Sequence, residues 1–420
     1  MADSIDLLRN NRNYRRVWLG QVVSEIGDYF NNVAVFSLAM ETTGSGLVVS
    51  AVMLSRAIPA ALAGPVAGVM LDRFDRKWIM VASDVARAIV ALAFLLTLRY
   101  RDPWLLYVLS ALLMFASPFF TSGRAAILPV IASRTELHAA NSLMQTTQWA
   151  TLTAGTILGG LSTARLGYQW AFILNALSFV LSAVMVSRLD SGGAGFRAQE
   201  STSAGGGTAR PWHDYREGLA YMRSVPLLMG IGLISDGWAL GGGAAQVLFA
   251  LFGEQVFHRG AEGIGTIWGF AGIGLLAGGV IGHFAGRKVD FRGYKRTVAL
   301  SYLFHGATYI VFSKVESYGA ALLFILLSRV GMAVTTVLNN LQLLRHTPDQ
   351  FRGRVFATLE SLRWSTMMIS MALAGVASQY FSPQAIGVVA GLLAMATALA
   401  WAWADWRGLL PQPRDEQAEG

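Results

Sequence analysis

Glu25 and Asp28 stand three residues apart, with Asn32 four beyond Asp28, in a mostly apolar run from Val17 to Met40. At helical spacing the three share one face. Two carboxylates this close resist simultaneous ionisation where water is scarce, so the pair is suited to taking up and releasing a proton. Asp84, Asp236 and Glu360 are further acids inside apolar runs, and Arg56, Arg87, Arg329 and Arg363 are bases inside them. If such runs cross a bilayer, each charge costs about 2.5–3.5 kcal/mol on insertion scales and marks a cavity, a partner or an ion path.

The elements that must position these groups follow from composition. Of 420 residues, 54% are hydrophobic and 14% charged, against about 25% charged in ordinary soluble domains. Mean hydropathy is +0.47. This argues against a water-soluble enzyme. With no cysteine and six scattered histidines lacking metal-ligand spacing, disulfide frameworks, thiolate metal sites and cysteine nucleophiles are excluded. No cofactor is expected. The net charge of +8 is read as loop charge beside a membrane, not as a nucleic-acid surface.

Apolar runs fall at Val17–Met40, Leu47–Leu71, Trp78–Leu98, Trp104–Thr121, Ala140–Ala164, Tyr168–Ser187, Leu227–Phe252, Gly265–Phe284, Thr297–Phe312, Tyr318–Leu341, Val355–Phe381 and Pro383–Trp403. Each approaches the roughly 20 residues that a membrane helix needs. Between the sixth and seventh, Asp190–Arg210 is rich in Gly, Ser, Ala and Thr and reads as a flexible tether. The expectation is an all-α integral membrane protein with twelve transmembrane helices in two pseudo-symmetric six-helix bundles. These would be residues 1–188 and 216–420, joined by a cytoplasmic linker over 189–215. If sides alternate at every span, 24 Lys and Arg fall on the side of the N-terminus and five on the other. The positive-inside rule then puts both termini and the linker in the cytoplasm. The polar stretch Met1–Arg16 has no cleavable signal pattern, so the first span is expected to stay as an anchor.

After the second run comes Gly68-Val-Met-Leu-Asp72-Arg73-Phe-Asp75-Arg76-Lys77. This resembles the G-x-x-x-D-R-x-x-R-K signature of the major facilitator superfamily. The resemblance implies a cytoplasmic latch, whose carboxylate makes contacts in one conformational state only. Such contacts bias an equilibrium only because they differ between states. The matching place after the eighth run reads Gly282-His-Phe-Ala-Gly286-Arg287-Lys288, with Gly286 where Asp72 stands. Ser24-Glu-Ile-Gly27-Asp28, Ser55-Arg56-Ala-Ile-Pro59, Ser83-Asp84-Val-Ala-Arg87, Arg124-Ala-Ala-Ile-Leu-Pro129 and Arg352-Gly-Arg-Val355 are similar to the branch of macrolide-efflux and enterobactin-exporter-type proteins. That likeness implies a proton-driven exporter of amphipathic organic substrates, working as a monomer in a bacterial-type inner membrane. Asp28 falls on the branch's acidic position; Glu25 does not belong to its usual pattern. The fifth run has Gly155-Thr156-Ile-Leu-Gly159-Gly160, with Thr where drug antiporters often have Pro, and its glycines are read as close-packing positions.

Asp28 is read as the main protonation site, or instead as a structural partner of Arg56. Glu25 is read as its modulator or a contact for a cationic substrate, or as a carboxylate in a wet vestibule. Asp84 with Arg87, and Glu360 with Arg363, repeat a three-residue spacing and are read as ion pairs bracing the latch or gate. In the superfamily the first, fourth, seventh and tenth spans line a central cavity. The resemblance therefore makes Asn32, Arg56, Asp236, Trp238, Gln246, Arg329, Asn339 and Asn340 cavity candidates. Trp149, Trp238 and Trp268 offer flat surfaces, although membrane interfaces attract Trp for other reasons.

The leading expectation is alternating access powered by the proton gradient, with Na⁺ as the other coupling ion that carboxylates and Asn31 or Asn32 could ligate. A lipid or lysophospholipid flippase is the second, and a non-transporting receptor or scaffold the third. No G-x-x-x-x-G-K-[ST] loop, H-E-x-x-H or G-x-S-x-G element is present, so nucleotide-driven pumping and these hydrolytic chemistries lack a motif.

Overall fold

A computed structural model describes residues 2–133, 136–190, 196 and 211–413. The Gly/Ser-rich tether therefore lies outside the described residues except for Asp190 and Phe196, as does the tail beyond residue 413. α1 (Ala2–Asn10) and α2 (Arg12–Thr43) are separated by Asn11, whose side chain accepts a bond from Tyr14 N and caps α2. Gly44 ends α2 in the left-handed region, at φ 63°, where glycine is free of strain. α3 (Gly46–Arg73) leads to Asp75, whose Oδ1 accepts from Lys77 N and starts α4 (Arg76–Ala93). After a break at Phe94 the chain continues as α5 (Leu95–Tyr100). Asp102 and Pro103 start α6 (Pro103–Ile131), an N-terminal pairing in which neither residue wastes a backbone donor.

α7 (Glu136–Leu166), α8 (Tyr168–Ser187), α9 (Pro211–Ser224) and α10 (Pro226–Leu251) follow. A π-helical turn, Phe252–Val256, extends α10. The chain then forms α11 (Gly260–Lys288), α12 (Phe291–Lys314), α13 (Tyr318–His346), α14 (Asp349–Ala377) and α15 (Pro383–Trp406).

Each of the twelve apolar runs falls on a helix, within a few residues at the ends. Among the described residues, eight segments are long and apolar enough to cross a membrane: α3, α4 with α5, α6, α8, α10 with its π turn, α11, α13 and α15. The other four runs lie on α2, α7, α12 and α14, which carry more polar side chains. One boundary moved with consequence. The fourth run was expected to end near Thr121, but α6 continues to Ile131, so Arg124 is on a helix and not in a loop.

The chain forms two compact units. The first takes Met1–Thr202 and Phe249–Gly269, the second Ser203–Leu248 and Phe270–Gly420. In the first, α2 packs against α7 and α8, α3 against α6, and α4 against α6 and α8. A Cβ at Gly27 would come within 2.1 Å of Ser178 Oγ, and one at Gly20 within 3.1 Å of Ser182 Oγ. These two glycines, seven apart, seat α2 closely on α8 and leave the Glu25/Asp28 stripe for other neighbours. The glycines of α7 do similar work: a Cβ at Gly155 would meet Tyr29 at 2.8 Å, and one at Gly160 would meet Ala261 O at 2.6 Å. In the second unit α12 packs against α13 and α15, and α9 against α14. Its core gathers Leu227, Ile231, Tyr294, Val298, Leu338 and Trp401.

Candidate functional site

α2 carries a ladder of polar side chains, each facing a different helix of the first unit. Glu25 Oε1 accepts from Gln21 Nε2 at 2.8 Å and lies 3.4 Å from Arg124 Nη1 on α6. Its Oε2 accepts from Thr151 Oγ1 on α7 at 2.7 Å. One turn on, Asp28 Oδ2 lies 3.8 Å from Arg87 Nη1 on α4. Asp28 Oδ1 is buried with no hydrogen-bond donor among the described residues. A further turn on, Asn31 Oδ1 accepts from Arg56 Nη1 of α3 at 3.3 Å, and Asn32 Oδ1 accepts from Arg56 Nη2. Arg56 is thus held by two amides and not by Asp28.

Arg87 is the hub. It donates to Asp84, which is fully buried, and reaches toward Asp28 with its other terminal nitrogen. Its guanidinium lies between the rings of Phe120, at 4.8 Å, and Phe179, at 4.3 Å, a cation–π setting that stabilises a desolvated charge. The pair expected to brace the loop at residues 72–77 lies two to three turns into α4, and Arg87 faces α2.

The loop motif has its own contacts. Arg76 Nη1 donates to Ala126 O at 3.0 Å, and Lys77 Nζ donates to Leu189 O at 2.9 Å, so the bases cover carbonyls at the ends of α6 and α8. Asp72 and Arg73 are exposed. Asp75, which the motif reading passed over, caps α4 with one oxygen and accepts from Phe196 N with the other, at 3.1 Å. Phe196 is buried among Leu7, Tyr14, Met80 and Phe120. Gly68 has open space around its Cβ position. At Gly286, where the second half lacks an acid, a Cβ would lie 3.2 Å from Leu341, so an aspartate there would press on leucine.

In the second unit, Glu360 accepts from Arg363 and from Trp364 Nε1, the latter at 2.9 Å. Asn339 is buried and accepts from Tyr294 Oη at 2.9 Å, which ties it to α12, while Asn340 is exposed. Both lie about 15 Å along α13 from Arg329, at 1.5 Å per residue, so these three do not form one cluster. Gln246 and Asp236 are likewise ten residues apart on α10, and both are half-buried. Trp238 and Arg329 line one pocket, together with His305 and Tyr309, which the sequence reading missed. Trp268 packs edge-on against Phe249 at 4.9 Å, a packing role.

Arg124, Thr151, Gln21 and Asn31 were also missed as partners of the ladder. Arg124 had a signal, a base followed by the apolar run to Pro129; the others are polar residues of kinds that membrane helices use in many ways.

The pattern of the Major Facilitator Superfamily matches residues 17–366. The chain is 28% identical over 406 residues, 92% of each chain, to an uncharacterized MFS-type transporter, YfiS, of Bacillus subtilis. It is 29% identical to macrolide efflux protein A of Streptococcus pyogenes over 123 residues, 29% of this chain and 30% of that one. It is 22% identical to the putative bacilysin exporter BacE of Bacillus subtilis, over 83% of this chain and 84% of that one. A solved bacterial homologue of the iron transporter ferroportin shares the fold, with a TM-score of 0.71 and 18% identity over 93% of this chain and 98% of that one. The motif at Gly68–Lys77, the apolar helices and the match across most of the sequence agree: this chain belongs to the major facilitator superfamily and is a multi-pass membrane transporter of bacterial type.

Proposed function

We propose that this transporter is a proton-coupled exporter of amphipathic small molecules, cycling by alternating access, with Asp28 as the proton carrier. The observation that carries the reading is the sharing of Arg87 between Asp84 and Asp28. Asp84 holds Arg87 by a close, fully buried contact, so Arg87 keeps a counter-charge whether or not Asp28 is ionised. A proton can then come and go at Asp28 without stranding a buried cation, a state that would be costly. When Asp28 is charged it attracts Arg87 and draws α2 toward α4; when protonated that attraction is gone. A group whose contacts differ in this way biases a conformational equilibrium. Substrate favouring the other state would displace the proton, and the proton the substrate.

Glu25 has a different task in this scheme. Three partners from α2, α6 and α7 hold its carboxyl group in place, which would orient a cationic group of a substrate. Arg56, presented by Asn31 and Asn32, supplies a further polar point in an apolar setting, the usual makeup of small-molecule sites. The efflux-type relatives favour the outward direction. The excess of Lys and Arg on one side of the spans supports cytoplasmic termini in a bacterial inner membrane. Asp72 and Arg73, exposed at the end of α3, would act as the state-dependent latch, and the transporter would work as a monomer among membrane lipids.

The test is proton flux in proteoliposomes, with wild type and Asp28→Asn challenged by cationic and neutral drugs, a catecholate siderophore and a lysolipid, in the presence or absence of Na⁺. Substrate-evoked proton movement that vanishes in folded Asp28→Asn supports the proposal. Gradient-driven transport unchanged in that variant overturns it, and lysolipid movement indifferent to protons would assign the chain to lipid transport.

A further inference from the structure

We infer that a cavity at one end of the second unit binds the phosphate group of an organic phosphate, carried by a phospholipid headgroup or by a soluble ester. The cavity measures about 840 Å³, within the range of small-molecule sites. Its walls are the α9–α10 junction, the α11–α12 turn, the α13–α14 turn and Pro411–Pro413 after α15. Lys295 Nζ donates to Leu410 O at 3.1 Å, and Leu410 is buried, which fixes the last of these walls.

The charges of the lining favour an anion. Arg345 is exposed and has no ion pair or side-chain hydrogen bond among the described residues. Arg352, also in the lining, pairs with Asp349 at 2.7 Å and donates to the carbonyls of Leu344 and Thr347 at 3.5 Å. Tyr221 Oη donates to His346 O at 3.3 Å. The carbonyls at the end of α13 that would repel an anion are thus already covered. Two long helices, α10 and α14, begin at the cavity, at Pro226 and just after Pro348. Pro348 makes no side-chain cap and Val225 has no polar group to make one, so both positive helix ends are open to an anion.

The carboxylate in the lining belongs to Asp290, whose Oδ1 accepts from Gly293 N at 2.8 Å. Arg287, Lys288 and Arg292 flank that turn, exposed and without ion pairs among the described residues, and add positive potential. Two lining residues hold buried donors with no hydrogen-bond partner among the described residues: Arg352 through Nε, and Thr347, 2% exposed, through Oγ1. Such groups nearly always have partners in native proteins. The tetrahedral oxygens of a phosphate can meet donors arriving from α10, α13 and α14 together, where a planar carboxylate serves one guanidinium fork. Phe291 and Val225 add apolar wall for the carbon side of an ester. The inference is independent of proton coupling at Asp28, which belongs to the first unit.

The test follows thermal unfolding of the full-length protein in neutral detergent, at constant ionic strength. The probes are dioleoylphosphatidylglycerol and glycerol 3-phosphate, with dioleoylglycerol and glycerate as counterparts lacking phosphate. Saturable stabilisation by a phosphate probe, absent with its counterpart, is expected. Response to the lipid alone assigns the site to a headgroup, response to the soluble ester alone to a free phosphate ester, and response to both to either source. Arg345→Gln should raise the half-saturating concentration about tenfold, the loss of one charged hydrogen bond. Gln412→Glu, which puts a negative charge in the lining at unchanged size, should weaken binding as well. Arg9→Gln removes an exposed charge from the first unit and should change nothing. No response to either phosphate, an equal response to glycerate, or equal weakening by Arg9→Gln would overturn the inference. Binding untouched by both Arg345→Gln and Gln412→Glu would place the anion elsewhere and overturn it equally.

Discussion

Arg87 of α4 approaches Asp28 of α2 to 3.8 Å, while the same guanidinium is bound closely to Asp84. One contact is loose and the other tight, and that difference separates the two aspartates by role. Asp84 holds Arg87 closely; Asp28, under the proposal above, is the carboxylate that changes state. Asp28→Asn is therefore expected to keep the fold and lose proton-driven transport. Substrate-evoked proton flux in proteoliposomes, alongside an unfolding curve, checks both halves of the statement.

Removing Arg87 itself should be far more damaging. Arg87→Met leaves Asp84 buried without its cation, at a cost of about 3–5 kcal/mol. Arg87→Lys keeps a charge but gives up the planar fit between Phe120 and Phe179, so it should lie between the two in thermal unfolding. A lysine variant as unstable as the methionine one would show that the rings, and not the charge, dominate.

Arg124→Met should destabilise the first unit by about 1–3 kcal/mol, the cost of leaving a partly buried polar group short of a partner. Glu25→Gln in the same chain should restore part of that loss, since the stranded anion is gone. A double-mutant cycle with no coupling energy would refute the pairing.

Two glycines give opposite expectations. Gly160→Ala puts a Cβ 2.6 Å from Ala261 O, an overpacking that should cost about 1–3 kcal/mol. Gly68→Ala meets nothing within 4 Å and should leave unfolding unchanged. If Gly68→Ala, or Asp72→Asn, slows turnover with stability and substrate binding intact, the motif acts in the cycle and not in the fold; loss of binding alone would count against a latch.

Asp75→Ala should lose about 1 kcal/mol through the missing α4 cap and remove the bond to Phe196 N, leaving Phe196, among the described residues, only the bond from Arg76 N to its carbonyl. Easier proteolysis near residue 196 is the measurement, with Asp75→Asn, which keeps the capping oxygen, as the control.

Composition and periodicity by themselves determined that this chain is a helical membrane protein. A run of about twenty apolar residues has one stable form in a bilayer, because only a helix satisfies its own backbone there, and twelve such runs with Lys and Arg crowded on alternate turns lead to the expectation of a six-and-six layout. The loop Gly68–Lys77 added the family, since an acid in a basic turn is not asked for by membrane sorting. The ladder on α2 was legible too: Glu25, Asp28 and Asn32 share a face by helical arithmetic alone.

Which side chain each of them meets was decided only by tertiary packing. Arg56 could have served Asp28, and Arg87 could have served the loop, for anything their spacing says. The choice came from the seating of α2 on α8 through Gly20 and Gly27, which turns Asp28 toward α4 and Glu25 toward α6 and α7. Arg124 entered the site because α6 runs ten residues past the point where its hydropathy falls. The same holds for Tyr309 and His305, unremarkable on α12 until the close approach of α10 and α15 closes a pocket around them. Local sequence sets a helix and its faces; the rotation of each helix against its neighbours depends on contacts between residues far apart in the chain, which no local pattern encodes.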